Sequence, residues 1–216
     1  LAVQNCLLED PIKDQSVGAD TSKTTPLETL HKSRHAQMVP FAGHLMPLNY
    51  TNGIISEHNH TRTYTSLFDV SHMGQISISG KGASRALETL VPGNITGLSQ
   101  GSMRYTMLTN DEGGILDDII VTRQENGICL VVNAACLKPD FAHIRSRIGG
   151  EVDVDIILDH ALLALQGPGA AINLETLIPK ITNLPFMTAR EIKIEGIQTV
   201  VSRCGYTGED GFEISV

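Results

Sequence analysis

The sequence predicts an α+β fold: an elaborated ferredoxin-like unit followed by the start of a second α+β unit. Three observations lead there. Between residues 73 and 157 the segments read β-α-β-β-β-α-β. The stretch 107–121 has two apolar, β-branched runs around Asn110-Asp111-Glu112-Gly113-Gly114, the pattern of a hairpin. A further strand, turn and helix begin at Ala161. The expected organisation is a weakly ordered arm over 1–24, a first α+β unit over 25–157, and a second unit that starts at 158 and runs to 216, incomplete at its C-terminus.

The elements follow in order. Residues 1–24 are polar, acidic in places and without a period. Thr25-Pro26-Leu27-Glu28 combines an N-cap, a first-turn proline and a Glu three residues on, so a helix is expected to about His35. Residues 38–43 are extended and broken by Pro40 and Gly43. A helix over 54–64 leads into Leu67-Phe68-Asp69-Val70-Ser71-His72-Met73. Then come a strand at 75–79, a helix at 83–90 and a loop at 91–101. Strands are expected near 103–109, 115–122 and 128–134, with Glu125-Asn126-Gly127 as a turn. Pro139 opens a helix to about Ile148 with Phe141, Ile144 and Ile148 on one face, and a strand near 152–157 closes the set. The second unit has a strand at 161–166, a turn at Gly167-Pro168-Gly169, a helix to about 177, and strands near 191–195 and 198–203. A glycine-rich loop at 205–211 precedes Phe212-Glu213-Ile214-Ser215-Val216, a strand pattern that reads as cut, not ended.

Composition excludes several classes. Net charge is −8 with both signs interspersed, which does not suit a nucleic-acid binder. No apolar run approaches the roughly 18 residues of a membrane helix. The four cysteines contain no C-x-x-C pair and are expected to be reduced thiols. No Arg precedes Arg34, so an Arg-rich presequence is absent from this stretch. A cytoplasmic location is the expectation, with the mitochondrial matrix as the alternative.

Several motif matches fail on context. Gly97-Leu98-Ser99-Gln100-Gly101 spells G-x-S-x-G, yet a loop precedes it and a strand follows, the reverse of a nucleophile elbow. Gly167-x-Gly169 is a tight turn, since Ile172 holds the third glycine position of a dinucleotide fingerprint. Gly80-Lys81 lacks the upstream glycine of a phosphate loop. His58 and His60 belong on a surface helix. Asp69, Ser71 and His72 sit too close along one strand for a triad. No metal-ligand spacing is present, and no metal is expected.

Two features carry chemistry. Strand alternation puts Asp117 on one face with Ile115, Ile119 and Val121, and Asp118 on the other with Leu116 and Ile120. At least one carboxylate therefore meets apolar neighbours, an expensive placement unless the group is hydrogen-bonded or used. A sheet-edge guard against aggregation is the bland alternative. In Gly205-Tyr206-Thr207-Gly208-Glu209-Asp210-Gly211, glycines allow close approach of a ligand while a carboxylate can accept two parallel bonds from an amine and a ring N–H. A glycine-rich hairpin loop with solvated acids is the alternative there.

Taken with Leu67–Met73, Gly113-Gly114-Ile115-Leu116-Asp117-Asp118, Val131-Val132-Asn133-Ala134 and Leu163-Ala164-Leu165-Gln166-Gly167-Pro168, the 205–211 loop makes the chain resemble the T-protein (aminomethyltransferase) family of the glycine cleavage system from about Thr25 onward. The resemblance implies a folate-binding aminomethyltransferase fold of three domains, of which this chain supplies the first part. It implies tetrahydrofolate as co-substrate, the lipoylated H-protein as partner, and an aminomethyl carbon passed to the folate with release of ammonia. By residue matching, Asp117 is the catalytic aspartate near the folate nitrogen N10, and Glu209 binds the pterin. Met73, Tyr105 and Asn133 line the folate cavity. Phe41-Ala42-Gly43-His44 departs from the family, which usually has Trp after the Gly. Two other functions compete. One is a folate-dependent demethylase module of the dimethylglycine type, often fused to a flavin domain. The other is a non-enzymatic folate binder of iron–sulfur maintenance, whose K-G-C-Y-type motif differs from Arg203-Cys204-Gly205-Tyr206 here.

Overall fold

The computed structural model describes residues 22–216, so the expected arm lies almost wholly outside the described residues. Chain contacts group residues 73–100 and 104–158 into one compact unit, and 24–72, 101–103 and 159–216 into another. The sequence expectation placed boundaries near 24 and near 157. The structure instead groups 24–72 with the C-terminal segment, because strand β4 (Ser66–Asp69) pairs antiparallel with β10 (Leu162–Gln166), with Ala164 opposite Phe68. A pairing across so much intervening chain leaves no local trace in the residues.

The first unit is built on β5 (Gly74–Ser79), α3 (Ala83–Glu88), β6 (Met103–Thr109), β7 (Ile115–Gln124), β8 (Gly127–Val132), α4 (Leu137–Ile148) and β9 (Asp153–Ile156). Its sheet runs β6-β7-β8-β5-β9. The order β9-β5-β8-β7 is that of a ferredoxin-like unit, and β6 is the elaboration, added at the edge. Alternation decides which faces are buried: Ile76 and Ile78 on β5, and Ile128, Leu130 and Val132 on β8, all point into one core. Leu87 of α3 and Ile144 and Ile148 of α4 close that core. Helix α4 starts two residues before Pro139. A first-turn proline costs no hydrogen bond, since the first intrahelical bond is Asp140 N–H to Cys136 O at 2.9 Å.

In the second unit a sheet of order β11-β12-β13-β10-β4 carries β11 (Thr188–Ile194), β12 (Ile197–Arg203) and β13 (Gly211–Ser215) beside β10 and β4. Helix α5 (Ala170–Glu175) and a short 3-10 turn, Ile181–Asn183, cover a core around Leu174, Ile181, Val201 and Phe212. The helix ends at Glu175, before the expected 177. A small sheet contains β1 (Lys23–Thr24), β2 (Gln37–Phe41) and β3 (His44–Asn49).

The N-terminal region corrects two expectations. Helix α1 is only Glu28–Ser33, with Leu27 at the N-cap and no side-chain cap. It stops early because His35 takes a left-handed φ of 58°. Ala36 N–H then reaches His31 O and His35 N–H reaches Lys32 O, a Schellman closure made without glycine. The broken stretch 38–43 is in fact a hairpin. Ala42 and Gly43, at φ 48° and 77°, form a two-residue turn of the kind whose twist matches paired strands. An Ala in the first turn position hid that signal. Helix α2 (Ile54–Thr63) carries His58 and His60 exposed, as expected.

Candidate functional site

Asp117 sits on β7, where burial alternates: Asp117, Ile119 and Val121 are buried while Asp118 is exposed. The Asp117 residue is 7% exposed. Asn133, just past the end of β8, satisfies both carboxylate oxygens. Its backbone N–H donates to Oδ2 at 3.1 Å and its Nδ2 donates to Oδ1 at 2.8 Å. The same Nδ2 lies 3.1 Å from Asp118 Oδ1. Two N–H donors thus satisfy both oxygens of the buried Asp117 side chain.

The β7–β8 register, with Ile120 opposite Val131, brings these residues to one end of the sheet. On the neighbouring strand Gly74 lies opposite Val132, which carries half-buried Met73 toward Asn133. Tyr105 is 55% exposed on β6; partial burial and then the Asp118 carboxylate lift its phenol above the ordinary value. Four sequence-selected residues, Asp117, Asn133, Tyr105 and Met73, therefore belong to the same unit.

Sequence reasoning missed Asp140. It is 3% exposed on the first turn of α4, and its Oδ2 is buried without a hydrogen-bond partner. Oxygens of Asp117 and Asp140 and the Cys136 sulfur all lie within 4.8 Å of one another. Burial, and then the Asp117 carboxylate beside it, push Asp140 up to about 8. A signal was present in the sequence: Asp140 stands one helical turn before Ile144 and two before Ile148, on the stripe that reaches the core. The spacing of the three groups suits a shared proton and is also compatible with a cation.

Glu209 lies in the second unit, in the loop between β12 and β13. Arg62 of α2 pairs with its Oε1 at 3.1 Å and donates to Thr207 O at 2.6 Å. The next residue, Asp210, receives a two-pronged bond from Arg203, at 3.0 Å to Oδ1 and 2.5 Å to Oδ2, which holds its carboxyl below the usual range. Gln166 Oε1 accepts from Tyr206 N–H at 3.1 Å. A glycine-rich loop is thus pinned from three sides. Arg62 was another residue invisible to motif reading, because its partners lie far along the chain. The Arg62–Glu209 pair is partly open to solvent, at 41% and 26% side-chain exposure. Arg62→Ala is therefore expected to cost no more than about 1 kcal/mol of stability in chemical denaturation.

Asp69, set aside above as a triad member with Ser71 and His72, finds another histidine. Its Oδ2 lies 2.9 Å from Nε2 of buried His31, whose Nδ1 is 2.8 Å from the Tyr50 hydroxyl. The G-x-S-x-G match lies in an irregular loop, as its context required. Among the described residues, no helix is long and apolar enough to cross a membrane, and Cys129, Cys136 and Cys204 form no disulfide.

A family model described as the GCVT N-terminal domain matches residues 27–216. A mitochondrial aminomethyltransferase of Dictyostelium discoideum is 42% identical over 204 residues, which cover 90% of this chain and 51% of the relative. The human mitochondrial aminomethyltransferase is 41% identical over 210 residues, covering 93% of this chain and 52% of its own length. The crystal structure of glycine cleavage system aminomethyltransferase T from Bartonella henselae superposes with a TM-score of 0.84 at 42% identity, over 90% of this chain and 53% of that one. The chain spans about half the length of these relatives.

Proposed function

The chain belongs to the GCVT N-terminal domain family, and from that premise we propose that it works as part of a tetrahydrofolate-dependent aminomethyltransferase of the glycine cleavage system. The lipoyl arm of the H-protein delivers an aminomethyl group. Its carbon passes to tetrahydrofolate, giving methylenetetrahydrofolate, ammonia and the reduced arm. The observation that carries this reading is Asp117: a carboxylate 7% exposed, held by two donors from Asn133, beside apolar Ile119 and Val121. A negative charge fixed in such a setting stabilises positive charge that develops on the folate during transfer, because it needs no reorganisation at that moment. In this reading Asp117 faces the folate N10, Glu209 takes the amine and ring N–H edge of the pterin, and Met73, Tyr105 and Asn133 line the folate site. Arg62 would hold the Glu209 carboxylate ready for that edge.

The same reading involves no metal in the transfer step. It carries a cytoplasmic location for a bacterial host or a matrix location for a mitochondrial one. Relatives of both origins match at 42% identity.

The test is ammonia release from aminomethylated H-protein by the full-length protein. Release that requires both the H-protein and tetrahydrofolate supports the transferase. Folate binding without release favours a non-enzymatic folate protein, and activity on dimethylglycine or sarcosine favours a demethylase. Since the relatives run to about twice this length, the 216-residue span alone is expected to show little or no transfer. Equal rates from the span and the full-length protein would overturn that expectation.

A further inference from the structure

Asp140 presents a buried carboxyl with one oxygen lacking any partner, next to the one buried carboxylate that the transferase reading uses. Two carboxylates cannot both stay ionised at such range in a site from which water is largely excluded; one proton shared between them removes the conflict. Which one carries the proton follows from the donors. Asp117 already accepts two N–H bonds from Asn133, a pattern that suits the ionised form. Asp140 is the more deeply buried of the two and has an orphaned oxygen.

We propose that Asp140 is a positioning residue: its carboxyl group keeps its proton and donates it in a hydrogen bond to the Asp117 carboxylate. The inference rests on the transferase reading for its consequence, though not for its geometry. A carboxylate offers about four lone-pair sites. Asn133 fills two and Asp140 a third, which leaves one for an incoming ligand. Held by three donors, Asp117 cannot swing away from the atom it serves, and orientation of that kind is worth large factors in rate.

The neighbours leave few rivals for the proton. Among the described residues, Asp117 on β7 and the Cys136 thiol ahead of α4 lie within 4.8 Å of Asp140. His143, one turn further along α4, is held below the ordinary imidazole value by burial and by Arg147, with Asp111 and the Thr109 backbone acting the other way. A cation among Asp117, Cys136 and Asp140 is the rival occupant. Both Asp117 oxygens are already engaged by N–H donors, which favours the proton.

Two measurements on the full-length protein test this. The first is carboxyl 13C NMR with labelled aspartate, the Asp140 signal being identified by its loss in Asp140→Asn. The expected result is ionisation about two or more pH units above the ordinary aspartate value of ~3.9. Ionisation together with the ordinary aspartates overturns the proposal, as does bound metal in the purified protein that is absent from Asp140→Asn. The second is turnover. Asp140→Leu is expected to lower kcat about 10- to 100-fold, the worth of a hydrogen bond to a charged group. Asp140→Asn, whose amide can still donate to Asp117, is expected to restore most of it. Equal loss in both variants overturns the positioning role. If the wild-type protein releases no ammonia at all, the transferase reading fails, while the NMR titration still decides where the proton sits.

Discussion

Asp117→Asn in the full-length protein is expected to slow aminomethyl transfer by about 10²- to 10³-fold, the usual cost of removing one fixed electrostatic partner from a reacting centre. The substitution removes the charge while keeping the volume, so the apolar packing against Ile119 and Val121 should survive. It does not keep the hydrogen bonding. Asn133 aims a backbone N–H at one carboxylate oxygen and a side-chain N–H at the other. An amide at 117 presents its own NH2 to one of them, leaving a donor unmatched at a cost of about 1–3 kcal/mol. Tetrahydrofolate binding is expected to weaken far less than the rate falls, since the Glu209 loop is untouched. Asp118→Asn is the internal comparison: Asp118 is exposed, and its loss is expected to change the rate only severalfold. Single-turnover rates beside equilibrium titrations separate the two effects. An Asp117→Asn rate close to wild type would sink the assigned role.

Gly167→Ala is expected to destabilise the protein by about 3–5 kcal/mol, for a reason the sequence only half shows. Gly167 has φ +127°, a conformation that L side chains rarely adopt. An added Cβ would also lie 2.8 Å from Thr61 O and still closer to Tyr64 O. Those are backbone atoms around the end of α2, so no rotamer change relieves the clash. The same residue's N–H donates to Asp210 O at 2.8 Å and ties the end of β10 to the 205–211 loop. Gly196, at φ +89° with open space around it, supplies the control. Its alanine variant meets strain without collision and is expected to lose only about 1 kcal/mol. Chemical denaturation of both variants checks the difference, and a loss below about 1 kcal/mol at Gly167 would show that α2 moves aside.

These two residues show how far local reading reaches. Asp117 was legible because alternation along a strand is a property of the strand alone: once β7 was recognised, Asp117 had to share a face with Ile119 and Val121. What local pattern could not supply was which face is buried, and the β7–β8 register with Asn133 answers that. Gly167 was legible as a turn, but the backbone pressing on it comes from α2. The ferredoxin-like order was readable because its strands and helices follow one another in sequence. The hairpin at Ala42-Gly43 was not, since its first turn residue is one that rarely takes a positive φ.

The sequence by itself determined the class of fold, the strand that carries the acid, and the family to which the motifs point. Periodicity, turn chemistry and short motifs act over a few residues, within the reach of a linear reading. Only the tertiary structure decided that 24–72 joins 159–216, that Arg62 meets Glu209, and that Asp140 comes to rest against Asp117. Each of these depends on a sheet register or a helix seating that many distant residues settle together through burial, and no single stretch of chain encodes it.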